Sequence, residues 1–169
     1  MGSAGYVCSR IGLVVPAARR QTAAMSDAGI DGLDDATIRA ILVQTRRIAV
    51  VGASDKTWRP SHGVFGYLLA RGFDATPVNP VLAGRTIHGR TVLAGLAEAA
   101  PLEMVDIFRA SARAGAVVDE AIRLGARVVW MQLGVVDRAA AGRARAAGII
   151  VAMDRCPVIE ERRLGLARH

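Results

Sequence analysis

Five short apolar runs separated by stretches of helical periodicity constrain this chain more than any other feature. The runs are Arg47 to Val51, Phe73 to Val78, Met104 to Phe108, Arg127 to Gln132 and Ile149 to Met153. They are mostly continuous rather than alternating, which is what strands covered on both faces require. A helix from Asp34 or Asp35 to about Gln44, with Ile38, Ile41 and Leu42 on one face, is expected before the first run. Further helices are expected over 62–70, 92–99, 112–124 and 135–147, with a short excursion at 84–89.

Strands that alternate with helices are joined by crossovers, and crossovers make a parallel sheet. The predicted fold is therefore α/β: a Rossmann-like doubly wound parallel sheet of about five strands in a single domain. At 169 residues and 52% apolar content, the chain can build one core and has no room for a second domain. In such a sheet a ligand binds outside the carboxyl ends of the strands, so those five ends are the candidate site.

The first end is the most telling. Val51-Gly52-Ala53-Ser54-Asp55-Lys56 breaks an apolar strand into a polar loop, and Arg59-Pro60-Ser61 leads into a helix. The first N–H groups of a helix have no intrahelical partner and carry partial positive charge, so phosphate can satisfy them. Lys56 and Arg59 add formal charge. Which nucleotide is meant is narrowed by two tests. A dinucleotide fingerprint needs three spaced glycines here and an acidic residue at the second strand end. The turn has one glycine and the second strand ends in Asn79, so both tests go against NAD. No Gly-Lys-Ser or Gly-Lys-Thr tripeptide exists, which excludes a P-loop.

Charge and composition exclude other classes. The net charge of +7 comes from 21 arginines and one lysine spread along the chain, with only 4% aromatic residues, so no stacking platform or recognition helix for nucleic acid is expected. The distributed charge still favours polyanionic small ligands. His62, His88 and His169 are scattered and the two cysteines, Cys8 and Cys156, are far apart, so neither a metal site nor a disulfide framework is expected; a reducing, cytoplasmic setting is. No membrane span is expected, since no run reaches about 18 apolar residues. Residues 1–25, basic and without acidic residues, are read as a disordered or over-extended leader before Met25-Ser26-Asp27, with a transit peptide as the other reading. The domain is placed at 34–164 and a tail at 165–169; the stretch from Pro157 either covers the last strand or solvates freely.

A resemblance rests on the same strand ends. Val51 to Lys56, Arg59 to Ser61, Pro77-Val78-Asn79-Pro80, Val105 to Arg109, Val129 to Gly134 and Met153-Asp154-Arg155-Cys156 resemble the small standalone CoA-binding proteins. These are similar to the CoA-binding domain of the succinyl-CoA synthetase α-subunit. The resemblance runs from about Ala36 to Leu164 and implies noncatalytic binding of coenzyme A or an acyl-CoA. It implies that Gly52, Ala53, Ser54, Lys56, Arg59 and Ser61 hold phosphates and that Asn79 and Pro80 lie by the adenosine. It also implies that Phe108, Arg109, Gln132, Leu133 and Gly134 line the rest of the groove. The chemistry agrees, since a pyrophosphate and a 3′-phosphate need backbone donors and several cations, which Lys56, Arg59 and Arg109 supply.

Each residue also has a plainer role open to it. Gly52 can serve a tight turn, Asn79-Pro80 is ordinary turn chemistry, Phe108 and Met131 can be core, and His62 can be a helix-start residue. Trp130 is expected to pack against a helix, while the loop residue Trp58 is the expected ligand neighbour. No catalytic set is visible at the strand ends. Cys156 stands beside Arg155, a neighbour that would lower its pKa, so a mixed disulfide with the CoA thiol is one reading and an inert buried cysteine the other. An NAD(P)-linked oxidoreductase and an acyl-CoA ligase subunit remain as alternatives. A protein partner or homo-oligomer is left open.

Overall fold

The computed structural model describes residues 29–167, so the expected leader at 1–25, Cys8 and His169 lie outside the described residues. Five parallel strands form the sheet: β1 (Arg47–Val51), β2 (Asp74–Val78), β5 (Met104–Ile107), β6 (Val128–Met131) and β7 (Ile150–Met153). A small antiparallel pair, β3 (Thr86–Ile87) and β4 (Arg90–Thr91), stands apart. The order in the main sheet is β2-β1-β5-β6-β7, so the chain steps outward from β1 to β2 and then returns to the other side of β1 with β5. The switch point therefore falls between β1 and β5, where the doubly wound rule places ligands.

Burial on both faces explains the continuous apolar strands. Ala49, Val51, Val105 and Ile107 join Ala114, Val118 and Ala121 of α3 (Ser111–Arg123) and Ala140, Ala141 and Ala144 of α4 (Arg138–Ala146) in one core. Ile48, Val50, Met104 and Trp130 join the other core with Ile38, Ile41 and Leu42 of α1 (Asp35–Gln44) and Phe65 and Leu68 of α2 (Pro60–Arg71). Trp130 is fully buried there, and its indole N–H donates to the Arg155 carbonyl at 2.8 Å. The stretch after Pro157 is a helix, α5 (Pro157–Arg163), packed against α1 and α2.

One expected helix is not formed. Over 92–99 only Leu96–Ala99 makes a short 3-10 turn. The reason is that Leu93 is used as a strand: its N–H donates to the Pro77 carbonyl and its carbonyl accepts from Asn79 N–H, both at 2.9 Å. A residue bridged to β2 through both backbone groups cannot also close helical turns. Gly95 caps the short turn, with Glu98 reaching back to its N–H at 2.9 Å.

A buried ion network ties residues 31–33 to the far edge of the sheet. Asp31 accepts from Arg155 Nε at 2.8 Å and from the Met153 N–H at 3.0 Å, and Arg155 also reaches Glu160 at 3.2 Å. Arg163 joins Glu160 to Asp35. Burial pushes the Asp31 carboxyl up, but the Arg155 hydrogen bond, the Leu33 and Met153 N–H groups and the Arg155 charge together hold it below the usual carboxylate range.

Candidate functional site

The loop after β1 is shaped by Gly52. Its φ is +90°, and a Cβ there would stand 2.4 Å from the Phe108 carbonyl oxygen, so both conformation and space demand glycine. The loop then turns through Ser54, whose hydroxyl accepts from Lys56 N–H at 3.2 Å. Asp55, the one acidic side chain in the loop, is paired with Arg85 at 3.0 Å. Lys56, Trp58 and Arg59 are left on the surface, with Trp58 75% exposed and Lys56 Nζ 5.9 Å from its ring centroid. Among the described residues no carboxylate pairs with Lys56, Arg59 or Arg109.

Two of the five α-helices among the described residues begin on a capping side chain. α1 begins on Asp34 and α4 on Asp137, each side chain accepting from the first turn. α2, α3 and α5 begin at Arg59, Ala110 and Cys156 with no side-chain cap. Of these, α2 and α3 follow the paired neighbours β1 and β5, so their first turns face the same crevice; Pro60 brings no N–H, and the His62 and Arg113 N–H groups donate to the Arg59 and Ala110 carbonyls, which leaves the remaining first-turn N–H groups for a ligand.

Beside that crevice lies an apolar cleft of about 330 Å³. Pro60 and Val64 of α2 form one wall; Phe108, Leu133 and Val135 form the other, with Arg109 at the β5 end. Gln132 and Cys156 also line it. Gln132 is 4% exposed and its Nε2 bridges both carboxylate oxygens of Asp106, at 3.0 and 3.1 Å. Asp106, in the middle of β5, is wholly buried, and burial pushes its carboxyl up to about 7 against the opposing pull of that hydrogen bond. Sequence reasoning missed Asp106, although an acidic residue inside a strand expected to be covered on both faces was the signal to follow.

The structure thus gathers Arg109, Phe108, Gln132, Leu133 and Cys156 around the cleft and sets the Gly52-to-Ser61 loop at its side. Other expected residues are spent on structure. Ala53 is core, and its carbonyl accepts from Asn79 Nδ2 at 2.8 Å. Asn79 Oδ1 accepts from Val81 N–H, and Pro80 opens an exposed 3-10 turn. Ser61 is buried in the first turn of α2. Gly134, at φ +76°, donates its N–H to Asp154 at 2.7 Å, and its carbonyl accepts from the Ser111 hydroxyl.

The expected effect of Arg155 on Cys156 is overturned. Arg155 is committed to Asp31 and Glu160, and burial pushes the Cys156 thiol up, leaving it protonated. The His62 ring lies tilted against that of His88, with ring centroids 4.2 Å apart. Among the described residues no three His, Cys, Asp or Glu side chains are grouped to hold a metal, and no helix is long and apolar enough to cross a membrane.

A family model described as a CoA binding domain matches residues 46–162, which span every strand end just described. The chain belongs to this CoA-binding family. It is 35% identical over 122 residues to the uncharacterized protein YneT of Bacillus subtilis, an alignment covering 72% of this chain and 89% of the relative. A solved hypothetical protein from Pyrococcus horikoshii is similar at 39% identity and a TM-score of 0.76, with 81% of this chain and 96% of that one covered. Prb, described as PH1109 protein redesigned for binding, is 41% identical at a TM-score of 0.75, covering 80% and 94%. These likenesses carry the single Rossmann-like α/β fold expected from the strand pattern.

Proposed function

We propose that this CoA-binding domain holds coenzyme A or an acyl-CoA at the β1/β5 switch point without transforming it. The observation that carries the reading is the pair of uncapped helix starts, α2 and α3, set among cations that have no carboxylate partner among the described residues. Such a place suits a polyanion, because phosphate oxygens can accept from the free N–H groups while Lys56, Arg59 and Arg109 offset the charge. The adjoining apolar cleft suits the uncharged pantetheine arm, and the two together match a ligand that is anionic at one end and largely apolar at the other. CoA, when bound, would bring a thiol or thioester; the protein's own groups would bind and orient it.

The holding role rests on how the polar side chains near the cleft are used. Gln132 serves Asp106, Asp154 serves Gly134, Asp55 serves Arg85, and the Cys156 thiol is protonated. None of these pairs activates a nucleophile toward the cleft.

Titrating CoA, acetyl-CoA, 3′-dephospho-CoA, NAD and NADP against the protein tests the reading. A ligand at about 100 times its Kd adds about 2.7 kcal/mol to stability, a readily measured thermal shift. CoA and acetyl-CoA should give it, and 3′-dephospho-CoA less of it. A shift with NAD or NADP and none with CoA would reject the proposal.

A further inference from the structure

One side chain that lines the cleft, Gln132, is paired with the buried Asp106, an amide–carboxyl pair with no counterpart elsewhere among the described residues. Asp106 has a single hydrogen-bonding partner there, the amide of Gln132. Its neighbours across the sheet are Val50 on β1 and Trp130 on β6, neither titratable. The buried core on its face of the sheet, with Val50, Met104 and Trp130, is apolar. From the α5 side the titratable groups are the Cys156 thiol and then Glu160, whose charge is taken by Arg155 and Arg163. Among the described residues no cation therefore fixes Asp106 as a carboxylate.

The pair also reaches the ligand space. Gln132 is almost wholly buried, yet it lines the cleft, and its Oε1 has no partner among the described residues while its Nε2 points to Asp106. An ionised carboxylate only accepts hydrogen bonds, so it demands the NH2 end of the amide and leaves the carbonyl end for the cleft. A protonated carboxyl can donate, which allows the amide to turn over and bond through its oxygen, giving the cleft an NH2 donor instead.

We propose that Asp106 is a positioning residue that acts through Gln132, so that its protonation selects whether the cleft offers the ligand a hydrogen-bond acceptor or a donor. Resting on the CoA reading, the inference deepens it. Pantetheine carries amide N–H and C=O groups, and a thioester carries a carbonyl but no S–H donor. The acceptor form of Gln132 suits N–H or S–H groups, and the donor form suits carbonyls. The buried carboxyl titrates around neutrality, which puts the exchange in an accessible range.

Two measurements decide it. In ligand-free protein labelled with 15N, the Gln132 side-chain amide resonances should move as pH passes through about 7 and should stay fixed in Asp106→Asn. Resonances indifferent to pH in the wild type, or moving equally in Asp106→Asn, overturn the proposal. The second is the ratio of acetyl-CoA to CoA affinity at pH 6 and pH 8. The ratio should be greater at pH 6, by about fivefold, in the wild type and level in Asp106→Asn. Taking a ratio cancels titration of the ligand's phosphates. Equal pH dependence in both proteins overturns the ligand half of the proposal. Absence of CoA binding at every pH rejects the proposed function itself and that half with it, while the amide titration still decides the switch.

Discussion

Asp31 and Asp106 are both buried acidic residues, one against the edge strand β7 and one within the central strand β5, yet they are opposites. Asp31 is surrounded by donors, a guanidinium and two backbone N–H groups, and is held below the ordinary carboxylate range. Asp106 is given one amide and is pushed up to about 7. The arginines nearby divide in the same way: Arg155 is 7% exposed and fully engaged, whereas Arg109 has no carboxylate partner among the described residues. Burial alone does not separate structural charge from working charge. What separates them is whether the partners needed to satisfy the group come from the fold itself.

The sharpest way to break this contrast is Arg155→Met. It leaves Asp31 and Glu160 buried without their cation, and a loss of about 3 to 5 kcal/mol is expected in urea unfolding. A loss under about 1 kcal/mol would mean that the network contributes no more than a surface ion pair.

Asp106→Asn should act in the other direction. A carboxyl raised from 3.8 to about 7 favours the fold most below the unfolded value, and that contribution is lost as pH rises through about 7. The substituted amide stays neutral and can still accept from Gln132, so the variant should be more stable than the wild type at pH 8, by on the order of 2 to 4 kcal/mol, with little difference near pH 4. Asp31 has the opposite sign: its contribution is present above 3.8 and lost as pH falls through its lower folded value. Unfolding curves across pH on both proteins check the pair of signs.

Arg109→Ala gives the smallest effect on stability, within about 0.5 kcal/mol, because no hydrogen bond or ion pair among the described residues is lost. Its CoA affinity should nonetheless fall by about tenfold, the value of a charge-assisted hydrogen bond. Isothermal titration beside a melting curve separates the two. An equal drop in both would place Arg109 with Arg155 rather than against it.

Much of the fold is legible in the sequence, for a local reason. Charge, apolar run and glycine mark both ends of β1, so the strand expected at Arg47–Val51 is the strand observed. Asp34 announces α1 because a cap acts within one turn. The helix expected over 92–99 fails for a nonlocal reason, since Leu93 is claimed by β2 through backbone groups that every residue carries. Asp31 lies 124 positions from Arg155, and nothing in the surrounding glycines foretells a buried ion pair. At the site, Arg109 and Gln132 stand at strand ends where a sequence reading finds them, but the pairing of Asp106 with Gln132 depends on β5 and β6 being neighbours, which a single chain's pattern does not specify.

The strand-end loops are also tied sideways, from one edge of the sheet to the other. Asn79 holds Ala53, Gly52 lies against Phe108, Ser111 holds Gly134 and Val136, and Gly134 holds Asp154. Ordering a loose rim on association would cost about 0.5 to 1.5 kcal/mol for each mobile side chain fixed. Loops already laced together have settled their share of that entropy in folding, so what a ligand has left to order is the side chains of Lys56, Arg59 and Arg109, and its recognition should be governed by fit and charge rather than by loop closure.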